Sequence, residues 1–122
     1  MKHFAFMVLS LCIISGCAKN YVEAPEIPED ISFNDDILPI FTSHCESCHQ
    51  TDKVFPDLIL SAELAYTQLL TDGINAPYVN IADPESSKLY VKIKTNMPPF
   101  ELLPSYNINM ILKWIQQGAK NN

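Results

Sequence analysis

No arginine occurs among the 122 residues, and eight lysines carry all the basic charge against fourteen aspartates and glutamates, a formal charge of −6. That balance argues against nucleic acid, whose affinity rests on neutralising phosphates, and against an anionic membrane surface. It fits plain solubility, and equally a partner protein with a basic patch met in a transient, salt-sensitive encounter. Long hydrophobic runs are also missing: the apolar stretch from Phe4 to Ile14 is too short to span a bilayer. No internal repeat or low-complexity tract is visible, and too little of the sequence alternates for a sheet. Cysteines and histidines are few as well, with four and three respectively. A zinc site built around any pair of them would lack ligands.

What is present at the N-terminus is an export signal. Lys2 supplies a positive start and Phe4–Ile14 a core of signal-peptide length. Ile14-Ser15-Gly16-Cys17 then resembles the lipobox of bacterial lipoproteins. That resemblance implies cleavage before Cys17 and acylation of it, several chains together making a stable anchor. An ordinary secretory signal that happens to end in cysteine is the alternative. Removal of residues 1–16 leaves 106 residues with seven lysines and a formal charge of −7. By the same resemblance, Ala18 and Lys19 lack the aspartate that retains many lipoproteins at the inner membrane. The expected location is therefore the cell envelope, facing periplasm or exterior, with the outer membrane slightly favoured.

Cys45-Glu46-Ser47-Cys48-His49 is the sequence's most specific motif. A C-x-x-C-H run in an exported chain marks attachment of a c-type haem. Each thiol adds across a porphyrin vinyl group to form a thioether, and the adjacent imidazole ligates the iron from one face. The two-residue spacing lets both sulfurs reach one edge of the ring with the histidine beneath the metal. A redox dithiol is the other reading, but the βαβ context of a thioredoxin-like protein is missing. One covalent haem c, on Cys45, Cys48 and His49, is thus the expected cofactor. All four cysteines are then placed: Cys12 leaves with the signal, Cys17 takes lipid, and none remains for a structural disulfide, although the compartment permits one.

Three segments follow: a signal at 1–16, the lipidated Cys17 with an acidic, proline-containing tether through 31, and one domain over 32–122. The tether holds Pro25, Pro28, Glu23, Glu26, Glu29 and Asp30, so it reads as solvated. Fully extended, residues 18–31 reach roughly 45 Å. The domain reads as short helices joined by proline-bearing loops. Asp35 or Asp36 is placed to cap a first helix through Ile37, Leu38, Ile40 and Phe41. Pro39 belongs in its first turn, so that helix should not begin much before Asp36. Ser61 is expected to cap a second helix from Ala62 to about Leu70, with Leu64, Leu69 and Leu70 partly buried. Asp83-Pro84 starts a third, with Leu89, Tyr90 and Ile93 as its apolar face. Ser105 opens the last, with Ile108, Ile111, Leu112 and Ile115 at helical spacing and Gly118 as its stop.

Phe33-Asn34-Asp35-Asp36-Ile37-Leu38-Pro39-Ile40-Phe41, then Cys45-x-x-Cys48-His49, resembles the opening of a small bacterial monohaem cytochrome c of the class I kind. Leu89-Tyr90, Met97-Pro98-Pro99 and the closing Ile111-x-x-Trp114-Ile115-x-x-Gly118-Ala119 are similar to that family too. The haem motif is highly specific, the methionine-proline segment moderately so, and the closing helix weakly so. The resemblance covers residues 32–122. It implies a mostly α cytochrome c fold, about four short helices and loops around the haem, with first and last helices crossing.

It also implies a methionine sulfur on the second iron face. Met97, 48 residues beyond His49, is the matching position, and Pro98 and Pro99 stiffen its loop. A loop methionine filling a gap is the bland reading, and Met110 competes but lies off the main apolar stripe of the last helix. A thioether ligand favours ferrous iron and raises the potential. Family members orient the axial imidazole with a backbone carbonyl in a Pro-x-Leu segment, here matched by Pro56-Asp57-Leu58. His44, at the end of the first helix, is expected to face solvent, and Trp114 and Phe41 to be core.

The function that follows is one-electron transfer by a membrane-tethered monohaem cytochrome, with redox proteins as partners and no nucleic acid. With both axial positions filled, turnover chemistry at the metal is not expected, so the chain is not read as an enzyme. Two alternatives stand beside it. One is a haem gas sensor or peroxidase-like protein with an open distal site. The other is a lipoprotein thiol reductase using Cys45 and Cys48.

Overall fold

The computed structural model describes residues 23–98 and 101–122, and its first helical turn is set by a reciprocal pair of side-chain caps. The Ser32 hydroxyl accepts the Asp35 N–H at 3.2 Å, and the Asp36 carboxylate accepts the Ser32 N–H at 2.8 Å. This is a capping box with its carboxylate one residue later than usual, which suits the π-wound turn Phe33–Ile37 that it closes. Helix α1, Leu38–His44, continues from that turn with Pro39 at its start, where a missing N–H is tolerated. Neither Asp35 nor Asp36 is therefore the N-cap. The coil starts a turn earlier than expected because Ser32 takes that role and Asp36 reaches back to it.

Helix α2, Ala65–Thr67, runs on into a second π-wound turn, Gln68–Asp72. Ser61 contributes its carbonyl rather than its hydroxyl, accepting the N–H groups of Leu64 and Ala65 at 3.2 and 2.9 Å. The helix accordingly starts at Ala65 instead of Ala62. Leu69 is fully buried and Leu70 half-buried, but Leu64, ahead of the first turn, is exposed. Gly73 ends the turn, and a side chain there would meet the Gln68 carbonyl oxygen at 2.5 Å and the Tyr78 ring at 2.9 Å. The missing side chain is what lets Tyr78 lie against this turn.

A 3₁₀ turn at Pro84–Ser86 leads into α3, Lys88–Thr95. Leu89, Tyr90 and Ile93 form its buried face as the spacing predicts. Helix α4, Ser105–Gln116, buries Met110, Ile111, Trp114 and Ile115, while Ile108 and Leu112 are only half-buried. Its core stripe is thus rotated toward Met110 and Trp114 relative to the expected one. The Gly118 N–H donates to Ile115 and the Ala119 N–H to Trp114, at 3.0 and 2.9 Å. With Gly118 at φ +95°, this is a Schellman stop.

The core joins both ends of the domain. Phe33 packs on Trp114 at 5.3 Å between ring centroids and edge-on against Tyr66 at 5.1 Å. Phe33, Phe41 and Trp114 have almost no exposed surface. The Trp114 indole N–H donates to the Lys120 carbonyl at 2.9 Å, satisfying the one polar atom of that buried ring. Asn122 accepts from Phe33, Asn34 and Ser32, and Gln117 accepts the Ile31 N–H. Ile31 is buried and Ile27 packs on the core, so the packed chain begins ahead of Ser32, inside the segment assigned to the tether.

Among the described residues the regular structure is entirely helical, with no strand. None of those helices is long and apolar enough to cross a membrane. The signal segment, the lipobox and Cys17 lie outside the described residues.

Candidate functional site

The chain turns sharply where α1 ends. The N–H groups of Cys45 and Glu46 both donate to the Phe41 carbonyl at 2.9 Å. Those of Cys48 and His49 return to the Cys45 carbonyl at 3.1 and 3.0 Å. The tight turn brings Cys45, Cys48 and His49 to one cleft. The following loop then folds back, with Phe55 N–H on the Cys48 carbonyl and Leu60 N–H on the His49 carbonyl.

That return places the Leu58 carbonyl oxygen 3.2 Å from His49 Nδ1. A carbonyl can only accept, so Nδ1 carries the proton and the ring's lone pair is at Nε2. The Pro56-Asp57-Leu58 segment supplies the orienting acceptor as expected, through Leu58 itself. Burial lowers the imidazole's pKa below 6.5, partly opposed by the Leu58 bond. His49 is therefore neutral at pH 7, the state in which imidazole binds a metal. Phe55 stacks on it at 5.3 Å between centroids, with the ring planes 26° apart.

Two lobes form the cleft, of about 340 and 780 Å³ including their mouths, sharing Cys45, His49, Phe55, Ile93 and Met97. Cys48, His44, Pro98 and Leu103 complete the smaller lobe. Leu58, Leu60, Tyr78, Leu89, Asp57, Lys88 and Lys92 complete the larger. Met97 thus stands in the same cleft as His49, positioned by an N–H bond to the Lys92 carbonyl at the end of α3. Met110 is buried in α4 and lines neither lobe. His44 is exposed, at the rim of the smaller lobe.

Cys45 and Cys48 are free thiols. Burial pushes the Cys45 thiol up to about 11, with the neighbouring Cys48 adding to the shift. Dithiol reductases work through a lowered thiol pKa, so the environment of Cys45 runs against that alternative. Among the described residues, no group of three or more His, Cys, Asp or Glu is placed to hold a metal ion. A porphyrin, which brings its own nitrogens, suits a cleft with two thiols at one edge, a neutral imidazole of fixed tautomer, a thioether and apolar walls. The residues present fit haem c, which Cys45 and Cys48 would hold, with His49 and Met97 as candidate donors to its iron.

Sequence reasoning missed Phe55, Tyr78, Lys88 and Lys92 as parts of the cleft wall. The lysines were detectable in principle, since Lys88-Leu89 and Lys92-Ile93 repeat a cation–aliphatic pair at helical spacing. Phe55 and Tyr78 lie on irregular segments, where no periodicity assigns a side to a residue.

No protein-family model matches this chain, and no curated protein or solved structure matches it either.

Proposed function

We propose that this chain is a one-electron carrier, a c-type cytochrome tethered to the cell envelope through Cys17. The observation that carries the reading is the shared cleft. Met97, 48 residues beyond the Cys45–His49 motif, lines the same apolar space as Cys45, Cys48 and His49. Haem iron bound there would supply the redox chemistry, passing between its ferric and ferrous states.

The chain's own residues then do four things. Cys45 and Cys48 fix the ring by one edge. His49, its tautomer set by Leu58, keeps the Nε2 lone pair free and would offer it to the iron. Met97 presents a soft, uncharged sulfur that favours the reduced state. Leu58, Leu60, Leu89 and Ile93 exclude water, which further disfavours the charged oxidised state. With His49 and Met97 both serving as donors, the bound group would offer a substrate no position, so transfer of an electron, and no bond-making turnover, is the expected activity. The acidic body suits a redox partner with a basic patch, and the outer membrane is the favoured site of the anchor.

A haem-stained denaturing gel tests the attachment. Protein matured in a host competent for c-type assembly should keep its colour through denaturation, and Cys45→Ala with Cys48→Ala should lose it. A stain that washes out of the unsubstituted protein contradicts the assignment.

A further inference from the structure

The chain has fourteen carboxylates against eight lysines, yet it places two lysines, Lys88 and Lys92, on the wall of an apolar cleft. They lie one turn apart on α3, on the same helix face. Leu89 and Ile93, the neighbours that follow each of them, line the same lobe. Like charges at this spacing repel, and neither is matched by a carboxylate. Among the described residues the single ion pair is Lys53 with Asp52. Asp57 lines the lobe as well but forms no ion pair with either lysine.

The cleft is also polarised along its length. Of the two lobes, Cys48 lines only the smaller and both lysines only the larger, with Cys45 between them in both. A haem is polarised in the same way, since its two propionates leave the ring edge opposite the vinyl groups. Fixing the vinyl edge at Cys45 and Cys48 sends the carboxylates toward the lysines. We propose that Lys92, seconded by Lys88, is the binding site for the propionate edge of the ring. This assignment rests on the haem reading above.

The two lysines divide the work. Lys88 Nζ already donates to the Asn75 carbonyl at 2.7 Å and lies 5.9 Å over the Tyr78 ring. Lys92 lines the lobe and is exposed, a placement in which a lysine can lay its aliphatic stem on an apolar wall and turn its ammonium to an anion. Lys94, on the same helix, serves as an internal control. Its ammonium lies 5.4 Å over the Tyr90 ring, and it lines a separate groove.

A cation paired with a propionate offsets a negative charge that would otherwise favour the ferric state. Lys92→Met should therefore lower the midpoint potential, shifting the one-electron equilibrium about threefold toward ferric. Lys92→Arg should keep the original value, and Lys94→Met, with the same change in charge, should barely move it. The propionate bending bands in the resonance Raman spectrum should shift in Lys92→Met alone. Equal potential shifts for Lys92→Met and Lys94→Met, with unmoved propionate bands, would overturn the proposal while leaving a coloured cytochrome. Colourless protein from a competent host would instead overturn the haem reading and this assignment with it.

Discussion

Met97 hangs from the end of α3: its N–H donates to the Lys92 carbonyl at 3.0 Å, beside the same acceptor's bond from Asn96. The helix that builds one wall of the cleft thereby also anchors the backbone of Met97, which lines that cleft together with His49.

Met97→Ala should leave the haem attached, because neither thioether nor His49 is touched. The ferric visible spectrum should change, and the potential should fall by on the order of 0.2 V, within the roughly 0.8 V span that axial ligation controls. Potentiometric titration of the variant checks this, and an unaltered spectrum and potential would remove Met97 from the axial position.

Met110→Leu is the complementary case. Met110 is buried in α4 away from the cleft, so the swap should cost less than about 1.5 kcal/mol and leave spectrum and potential unchanged. A changed ferric spectrum here, with none in Met97→Ala, would exchange the two assignments.

Trp114 carries the contact between the ends of the domain, through Phe33 and Tyr66. Trp114→Ala should cost about 3–5 kcal/mol, a large share of the roughly 5–15 kcal/mol that holds a domain together. Urea unfolding monitored by far-UV circular dichroism should show it as a lowered midpoint. A loss below about 1 kcal/mol would show that this crossing is not a main support of the fold.

Two groups in the cleft give the cofactor-free chain opposite pH limbs. The pKa of His49 is lowered on folding, so its contribution is complete above about 6.5 and is lost as the pH falls below that value. The Cys45 thiol is raised from 9.0 to about 11, so its contribution is complete below pH 9 and is lost as the pH climbs toward 11. Urea midpoints of the unattached chain at pH 5, 7.5 and 10 should peak at the middle value. Haem attachment removes both titrations, since one group becomes a thioether and the other a ligand, and the pH profile should flatten.

The grouping of Cys45, Cys48 and His49, the Pro56–Leu58 acceptor segment, the buried face of α3 and the Gly118 stop are all legible in the residues because each is a local pattern. The start of the first helix is not. Asp36 reads as a cap on propensity, but Ser32 can play that part once the turn is π-wound, and winding is not written in the pattern. The rotated stripe of α4 has a tertiary cause: Trp114 needs a pocket among Phe33 and Tyr66, and turning the helix to fill it buries Met110 and leaves Ile108 and Leu112 half out. The lysines of α3 read as bulk charge until the fold sets them along an apolar cleft.

On the proposed reading, haem covalently held in this cleft cycles by one electron, with His49 and Met97 as donors to its iron. The reduced-minus-oxidised visible spectrum of purified, fully matured protein tests it most directly. Sharp, symmetric bands of a six-coordinate low-spin c-type haem, recovered unchanged after a cycle of oxidation and reduction, are the expected result. A featureless difference spectrum, or one with the broad bands of a high-spin iron, would contradict it.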